Sequence, residues 1–281
     1  MDEGVSRLID LALAEDIGSG DVTSEYFVPA DSRSRAYIRA REEGVIAGTE
    51  VAAEVFRRVD GDTEVKILLQ DGARVVEGAL VMEIQGSSRS VLTGERVALN
   101  FLQRLSGVAT LTRRFVDEIK GTGARILDTR KTTPGWRLLE KAAVVAGGGS
   151  NHRMGLYDRA MVKDNHLAAE GGLDALQKAI KQLGEEMPGV GVELEADHLQ
   201  QVEAFLKLKG VDQILLDNMS LDELKTAVSL RRGGTPFLEA SGGVKLDTVR
   251  AIAETGVDFV SVGAVTHSAV GLDLGLDFME G

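Results

Sequence analysis

The sequence contains no cysteine among its 281 residues, which excludes disulfides, thiolate metal sites and cysteine nucleophiles. It also lacks any uninterrupted run of about 18 apolar residues, the length that a membrane-spanning helix needs. The opening stretch MDEGVSRLIDLALAEDIG carries acids where a secretory signal carries bases. These absences lead us to expect a cytoplasmic protein without a membrane segment.

Basic residues are in deficit, because 32 lysines and arginines stand against 44 aspartates and glutamates, for a formal net charge of −12. A general nucleic-acid binder needs the opposite balance to contact phosphates, so we expect no nucleic-acid partner. The hydrophobic and charged fractions, 43% and 27%, are ordinary for a globular enzyme. The length suits one large α/β domain or a barrel with a smaller appendage.

The first third of the chain predicts helices and a sheet. Apolar positions form one helical stripe over residues 5–13. Short apolar runs between glycines over residues 34–91 indicate strands, with a helix at 49–59 beside them. A long helix is expected over 92–119, with Gly107 marking a kink or break.

The segment DGARVVEGALVMEI, residues 71–84, looks like the turn of a lipoyl or biotinyl carrier domain. The lysine that such a carrier presents for modification is missing from it. We therefore favour a structural β-hairpin over a carrier function for this segment.

After Gly123, strand-like runs alternate with helical patterns. The runs are ARILDT, RAMVKD, VGVELEAD, DQILLDN, PFLEASGG and VDFVSVGA. Alternation at this spacing predicts a parallel sheet and a β/α barrel with fewer than the usual eight strands. A doubly wound open sheet is the alternative, which the absence of a G-x-G-x-x-G motif disfavours. Asp197 with Gln200, and Ser220 with Glu223, have the spacing of helix caps.

The residues that follow these runs should carry the chemistry, because loops at the carboxyl ends of strands form the mouth of a β/α barrel. Cations follow the first two runs, acids the next two and glycine turns the last two. The set comprises Thr129, Arg130, Lys131, Lys163 with Asp164, Asn165 and His166, Glu195, Asp217, Ser241, Gly242, Gly243, Val262, Gly263 and Ala264. One charge of this kind is commonplace in a solvated loop, but the ordered set predicts a site for an anionic substrate, a divalent metal and a phosphate.

Three features refine this site. The stretch AGGGSNHRMG is not a P-loop, since no Gly-Lys-Ser/Thr follows, and it places His152 and Arg153 beyond a glycine loop. Glu195 and Asp217 could share Mg²⁺ with substrate phosphates, or could be loop or helix N-terminal charges. Glu193 is expected to face away from Glu195 and is left out of the site. The glycine turns offer backbone amides to a phosphate, or are plain turns.

In their order and spacing, the motifs closely resemble those of the quinolinate phosphoribosyltransferases, also called carboxylating nicotinate-nucleotide pyrophosphorylases. The motifs are TRKTTPGWR, GGGSNHRMGLYD, VKDNH, ELE, ILLDN, EASGG and VGAVTHS, with EDIGSGDVTSE, GVIAG and LTGERVALNFLQRLSGVAT upstream. Each motif alone is weak, but the ordered set is specific, and it covers essentially the whole chain.

The resemblance implies an α/β fold of the type II phosphoribosyltransferase kind. An N-terminal α/β sandwich over residues 1–108 would join an open, irregular β/α barrel over 109–270, with 271–281 packing back onto the sandwich. The implied assembly is a homodimer with shared active sites, or a higher oligomer. The implied reaction converts quinolinate and phosphoribosyl pyrophosphate to nicotinate mononucleotide, pyrophosphate and carbon dioxide, in de novo NAD biosynthesis.

The resemblance also implies residue roles. The quinolinate carboxylates would be bound by Arg130, His152, Arg153 and Lys163. Thr129 would also bind substrate, and Arg104 would reach across from the partner subunit. The catalytic residues would be Lys131, which contacts the phosphoribosyl donor, and Glu195 and Asp217, which serve the ribose and Mg²⁺. The 5′-phosphate would be bound by Ser241, Gly242, Gly243, Val262, Gly263 and Ala264. Trp136, Arg137 and His267 are left without a role.

Two alternatives remain open. A phosphoribosyltransferase-like protein of molybdenum-transport operons shares much of this pattern. Binding both quinolinate carboxylates separates the two, and the presence of Arg130, His152, Arg153 and Lys163 favours the transferase. A non-catalytic carrier or binding module is the other alternative, against which the missing lysine and the dense chemistry at the strand ends both count.

Overall fold

The structure, a computed structural model, describes residues 1–163 and 172–279. The described helices are α1 (Glu3–Ile17), α2 (Val22–Phe27), α3 (Thr49–Val59), α4 (Ser88–Glu118), α5 (Arg137–Ala146), α6 (Leu173–Glu186), α7 (Leu199–Phe205), α8 (Leu221–Leu230), α9 (Val249–Ala253) and α10 (Ala264–His267). The described strands are β1 (Arg33–Ala40), β2 (Gly44–Val45), β3 (Glu64–Ile67), β4 (Arg74–Val75), β5 (Leu80–Ser87), β6 (Arg125–Leu127), β7 (Arg159–Val162), β8 (Gly191–Ala196), β9 (Gln213–Asp217), β10 (Phe237–Ser241), β11 (Phe259–Ser261) and β12 (Leu274–Phe278). Across these described residues, every helix is too short or too polar to cross a membrane.

Two compact units divide the chain. The first holds residues 1–113, 132–148 and 265–281, and the second holds residues 114–131 and 149–264. The first unit is therefore assembled from three separate stretches of sequence.

The main sheet of the first unit is antiparallel, in the order β12-β1-β5-β3. Along β1, Ala36, Ile38 and Ala40 are fully buried while the residues between them are not, because successive side chains of a strand face opposite sides. The helix predicted over residues 5–13 is confirmed as α1, and the helix predicted over 49–59 is confirmed as α3.

The predicted break at Gly107 is wrong, because α4 runs through this residue without interruption. A Cβ atom at position 107 would lie 2.0 Å from the carbonyl oxygen of Val270 and 2.9 Å from the Cα of Gly271. The segment that leads into β12 thus passes directly against the helix backbone. Glycine is needed here for the close approach of two main chains.

The hairpin predicted for residues 71–84 is also wrong. Strand β4 pairs with β2 in a small two-stranded sheet, whereas β5 pairs with β1 and β3. Asp71 accepts the backbone amides of Gly48 and Thr49 at 2.9 and 3.0 Å, which fixes the start of α3. The two halves of the segment therefore belong to different sheets, and the resemblance to a carrier turn does not extend to its structure.

The sheet of the second unit is parallel and has six strands, in the order β6-β11-β10-β9-β8-β7. From β7 to β11, each strand lies beside the next one along the chain. Strand β11 then also pairs with β6, the first strand of this unit. A doubly wound sheet would place its first strand in the interior, so this order is that of a β/α barrel opened between its first and second strands. At the opening, a single bridge joins Leu127 to Ser150. The predicted α/β class with a small barrel of fewer than eight strands is confirmed.

The helix cap predicted at Ser220 is confirmed, since its side chain and that of Glu223 form a reciprocal capping box at the start of α8. The cap predicted at Asp197 lies one residue later. His198 caps α7 through a reciprocal box with Gln201. Asp197 is outside the cap, and its carboxylate is available for another role.

Candidate active site

Lys163 and Glu195 stand at the ends of neighbouring strands and form an ion pair. The parallel register aligns Val162 of β7 with Leu194 of β8, which sets the next two residues side by side. The Lys163 ammonium donates to the Glu195 carboxylate, and their side chains are 44% and 13% exposed. A cation and an acid that the sequence assigned to different parts of the substrates thus meet at one point. Residues 164–166, which complete the motif VKDNH, lie outside the described part of the chain.

A group of three carboxylates lies at this mouth. Glu195, Asp197 and Asp217 each place a ligand oxygen within 4.8 Å of the others. Asp217 aligns with Ser241 on the next strand, and its carboxylate accepts the Asn218 side-chain amide at 2.8 Å. Such an oxygen set fits a hard divalent cation that completes its shell with substrate oxygens. Asp197 is not among the predicted site residues, because its spacing to Gln200 is that of a helix cap.

Two arginines supply positive charge to the same unit. The Arg153 guanidinium donates to the Arg159 carbonyl at 3.3 Å and to the Met161 sulfur at 3.5 Å. Among the described residues, Arg153 has no carboxylate within ion-pairing distance. Burial lowers the pKa of Arg153, and the nearby positive charge of Arg130 lowers it further. Two half-buried cations that repel each other are arranged to receive an anion.

Thr129 and Lys131 flank Arg130 in the loop after β6. The Lys131 backbone amide donates to the Thr129 hydroxyl at 3.1 Å, and the Lys131 side chain is exposed. The buried Asp128 precedes them, and its carboxylate accepts the His152 backbone amide at 2.8 Å. The loop that holds the predicted cations is therefore tied to the segment that carries His152 and Arg153.

A second layer of polar residues lies beneath this mouth, and the predicted orientation of one of its members, Glu193, is wrong. Glu193 does not face away from Glu195, because strand residues two apart share a face. It is fully buried, as is Glu239, which lies two residues before Ser241 on β10. The signal that could have found both acids is a glutamate inside an otherwise apolar strand run.

The His152 ring is surrounded by this layer. Its Nε2 lies 3.1 Å from Glu193 and 3.3 Å from Glu239. Glu239 also accepts the Gln213 side-chain amide and the Ser261 hydroxyl. Burial raises the pKa of Glu239, and the Glu193 charge adds to this effect, although the bond to His152 opposes it.

Two influences on the protonation of His152 conflict. Burial of the ring lowers its pKa, but the hydrogen bonds to Glu193 and Glu239 outweigh burial and raise the pKa to about 9. The contact at Nδ1 argues against a second ring proton. Nδ1 lies 2.7 Å from the Arg153 backbone nitrogen, whose N–H can only donate, so Nδ1 must accept. That contact is shorter than those of Nε2 to Glu193 and Glu239, at 3.1 and 3.3 Å. We therefore assign the single ring proton to Nε2, which donates to the acids.

The two glycine turns differ in structure. Gly242 has φ 99°, and a Cβ there would lie 2.1 Å from the Asn218 side-chain oxygen. Gly243 has φ 59° with open space around it, and the next helix, α9, begins only at Val249. At the second turn, by contrast, α10 begins directly at Ala264. The first turn therefore offers its own amides to a ligand, without a helix start immediately behind it.

Arg104 belongs to the first unit, where its contacts are well defined. Its guanidinium donates to the fully buried carboxylate of Glu140 at 2.7 Å and to the Ala269 carbonyl at 2.7 Å. Glu140 also accepts the backbone amide and the hydroxyl of Thr133, at 3.0 and 2.9 Å. Arg104 is thus held in a fixed orientation by its own chain.

Of the three residues left without a predicted role, Trp136 and Arg137 make structural contacts and His267 is exposed. Trp136 stacks on Phe101 with ring centroids 4.7 Å apart. Arg137 begins α5 and donates to the Thr132 hydroxyl at 3.1 Å. His267 is exposed and bonds to the neighbouring Ser268 hydroxyl.

Comparison with known proteins covers both halves of the chain. The sequence family described as Quinolinate phosphoribosyl transferase, C-terminal domain, matches residues 108–277, and the corresponding N-terminal domain matches residues 21–106. A relative from Mycobacterium leprae, named nicotinate-nucleotide pyrophosphorylase [carboxylating], is 44% identical over 271 residues, covering 95% of this chain and 94% of its own. One from Nicotiana glauca, named quinolinate phosphoribosyltransferase [decarboxylating] 2, mitochondrial, is 41% identical over 288 residues, covering 97% and 81%.

Solved structures agree with the sequence relatives. The nicotinate-nucleotide pyrophosphorylase from Francisella tularensis superposes with a TM-score of 0.91 at 39% identity, covering 99% of this chain and 96% of that one. Since family domains, relatives and structures all match over nearly the full length, the chain belongs to the quinolinate phosphoribosyltransferase family.

Proposed function

We propose that the protein transfers phosphoribose from phosphoribosyl pyrophosphate to the ring nitrogen of quinolinate and releases pyrophosphate and carbon dioxide. The product is nicotinate mononucleotide, a precursor of NAD. The observation that carries this proposal is the half-buried Arg153, whose guanidinium has no carboxylate partner among the described residues and whose pKa the Arg130 charge helps to lower. A small dianion is the ligand that relieves this repulsion.

Quinolinate offers two adjacent carboxylates to this group of cations. Arg130 and Arg153 suit them because a guanidinium can give each carboxylate two parallel hydrogen bonds. Lys163 can join them when substrate competes with Glu195 for its ammonium, and Thr129 completes the group. His152 serves the same group through its contact with the Arg153 main chain. Binding in this way would fix the ring nitrogen in one position, so that it faces the ribose carbon of the donor.

The acids at the mouth serve the donor. Glu195 and Asp217, with Asp197 beside them, would hold Mg²⁺, which when bound neutralises charge on the departing pyrophosphate. The same carboxylates can orient the ribose hydroxyls. Lys131, exposed at the end of β6, would contact the donor.

The chemistry then needs positioning and charge stabilisation without a covalent enzyme intermediate. As pyrophosphate leaves, the ribose carbon becomes electron-poor and the quinolinate nitrogen attacks it. The new bond makes the ring nitrogen cationic. Loss of the adjacent 2-carboxylate leaves an electron pair that this cation stabilises, and a proton then replaces the carboxylate.

The 5′-phosphate of the donor would bind at the two glycine turns. Gly242 lies close to Asn218 with room for no side chain, and Ser241, Gly243 and the turn Val262-Gly263-Ala264 provide the remaining amides. Backbone amides there can approach the phosphate closely because glycine places no Cβ between them.

The assembly we propose is a homodimer, or a higher oligomer built from it, in the cytoplasm. Each subunit would lend Arg104 to the site of its neighbour. The hydrogen bonds that Arg104 donates to Glu140 and to the Ala269 carbonyl support this role, since they fix the direction of a side chain that must act across an interface. Sedimentation of the purified protein as a monomer at micromolar concentration would contradict the dimer.

The direct test is a product assay with quinolinate, phosphoribosyl pyrophosphate and MgCl₂, followed by NMR or chromatography. We expect nicotinate mononucleotide and pyrophosphate in equal amounts, and no turnover when a chelator removes Mg²⁺. The control replaces quinolinate by nicotinate, which lacks the 2-carboxylate. Turnover of nicotinate in preference to quinolinate would contradict the proposal.

A further inference from the structure

The polar layer beneath the mouth is costly for the fold. Glu193 and Glu239 are fully buried, and the His152 side chain is 5% exposed. Burying carboxylates is unfavourable unless other groups compensate, and apolar side chains of similar volume often give equal or greater stability. This cost indicates that the layer has a role besides stability, and its contacts lead to the residues above it.

His152 connects the layer to the mouth. Its Nε2 donates to the two buried acids, and its Nδ1 accepts the Arg153 backbone amide at 2.7 Å. Both ring nitrogens thus have a partner within the protein. The acids fix the ring from below, and the ring fixes the main chain that carries Arg153.

Asp128 fixes the same segment from the side of β6. It accepts the His152 backbone amide at 2.8 Å and donates its own amide to the Ser150 carbonyl at 3.1 Å. Arg130 follows two residues later. These two bonds therefore join the backbone segment that carries Arg130 to the one that carries Arg153. Like charges repel, so holding them at one site requires such ties and negative charge nearby.

We propose that Glu193 and Glu239 are positioning residues for the dicarboxylate: by holding the His152 ring they set where Arg153 stands relative to Arg130. This rests on the proposed function, because it takes quinolinate as the ligand of the two arginines. Neither acid touches substrate. Their loss should weaken quinolinate binding while leaving the phosphoribosyl donor, which other residues bind, unaffected.

The same three side chains also have the composition of a metal site, since their ligand atoms lie within 4.8 Å of one another. Two contacts favour hydrogen bonding instead. The Gln213 amide donates to Glu239, and the Arg159 guanidinium lies 3.6 Å from Glu193. Donors that already face these oxygens, one of them a cation, would oppose a metal ion. One tightly bound zinc or manganese per chain, lost in Glu193→Gln, would overturn the positioning proposal.

The test compares Glu193→Gln, Glu239→Gln and His152→Asn in the full chain. We expect KM for quinolinate to rise about 10- to 100-fold in the two glutamate variants, with KM for phosphoribosyl pyrophosphate near wild type. Calorimetric titration with quinolinate should show the same loss of affinity. His152→Asn keeps an acceptor near the position of Nδ1 for the Arg153 amide and should lose least.

A double variant separates positioning from general damage. Because Glu193 acts through the His152 ring, Glu193→Gln should have no further effect once the ring is gone, and the double variant should bind quinolinate as His152→Asn alone does. Additive losses would contradict the proposal. The matched control is Asp258→Asn, at the opposite ends of the same strands, where the carboxylate pairs with Arg231 and accepts the Leu238 amide at 2.7 Å. It should lower stability in urea without changing KM for quinolinate.

The outcomes for the proposed function are distinct from these. Wild-type protein that binds quinolinate but forms no mononucleotide contradicts the proposed reaction, while calorimetry on the variants still decides the positioning role. Unchanged quinolinate affinity in both glutamate variants, or an equal rise of both KM values, overturns the positioning role and leaves the reaction standing.

Discussion

The mouth of the parallel sheet and the layer beneath it use the same residue types for different purposes. At the mouth, Lys163 is 44% exposed and Glu195 13% exposed, so their charges can exchange partners when substrate arrives. One step below, Glu193 and Glu239 are fully buried and bonded to fixed neighbours. Exposed charges can bind and release a ligand, whereas buried ones can only hold other groups in place. The depth of a carboxylate on its strand therefore decides what it can do.

The largest expected effect is at the mouth. Arg130→Ala should weaken quinolinate binding by about 4 kcal/mol, because it removes one of the partners of a largely desolvated carboxylate. Isothermal calorimetry measures this, and urea unfolding should show nearly unchanged stability. Arg125→Ala, at the exposed opposite end of the same strand, is the matched control and should bind quinolinate as wild type does. Wild-type affinity in Arg130→Ala would show that this arginine is a surface charge.

In the buried layer beneath the mouth, a smaller effect is expected, on stability and not on binding. Glu239→Ala should lower the free energy of unfolding by about 3 kcal/mol, since the buried Gln213 amide and Ser261 hydroxyl lose their acceptor. Urea denaturation followed by circular dichroism measures it. If this variant is as stable as wild type, the Gln213 amide and the Ser261 hydroxyl do not depend on Glu239 as their acceptor.

Two adjacent glycines at the mouth offer a finer comparison. Gly242→Ala should cost about 2 kcal/mol, because a Cβ would combine a positive φ with a clash against Asn218. Gly243→Ala meets open space and carries only the strain of its positive φ, about 1 kcal/mol. Affinity for phosphoribosyl pyrophosphate should fall more in the first variant. Equal affinity and stability in the two would argue against the packing described for this turn.

The smallest expected effect concerns pH. If His152 were charged in the folded protein, its raised pKa would add stability below pH 6.5 that is lost as the pH rises through about 9. We assign a neutral ring among Glu193, Glu239 and Arg159, so the stability difference between wild type and His152→Asn should stay constant over that range. A difference that shrinks steadily from pH 6.5 to 9 would show that the ring is an imidazolium.

Much of the fold could be predicted from sequence, because strands and helices alternate with clear periodicity after Gly123. The site residues at the ends of strands could be predicted equally well, since a charge or glycine after an apolar run is a local signal. The layer beneath could not be predicted in this way, because it depends on which face of each strand is buried in the folded sheet. Reasoning from the pleat alone should have placed Glu193 with Glu195, and the error was to treat residues two apart as facing opposite sides.

Other errors came from long-range contacts that no local pattern contains. Gly107 reads as a helix breaker, but what it accommodates is the backbone of Val270, far away along the chain. Residues 71–84 read as a hairpin, but β4 finds its partner in β2. In both cases the local sequence has an unusual composition, and the structural reason for it is a contact with a segment distant along the chain.

The most direct test of the account follows the carboxylate that the reaction should remove. Quinolinate labelled with ¹³C in its 2-carboxylate would be incubated with the protein, phosphoribosyl pyrophosphate and MgCl₂. We predict one labelled carbon dioxide for each nicotinate mononucleotide formed, with no label left in the nucleotide. Label retained in a nucleotide product, or binding of quinolinate without release of carbon dioxide, would contradict it.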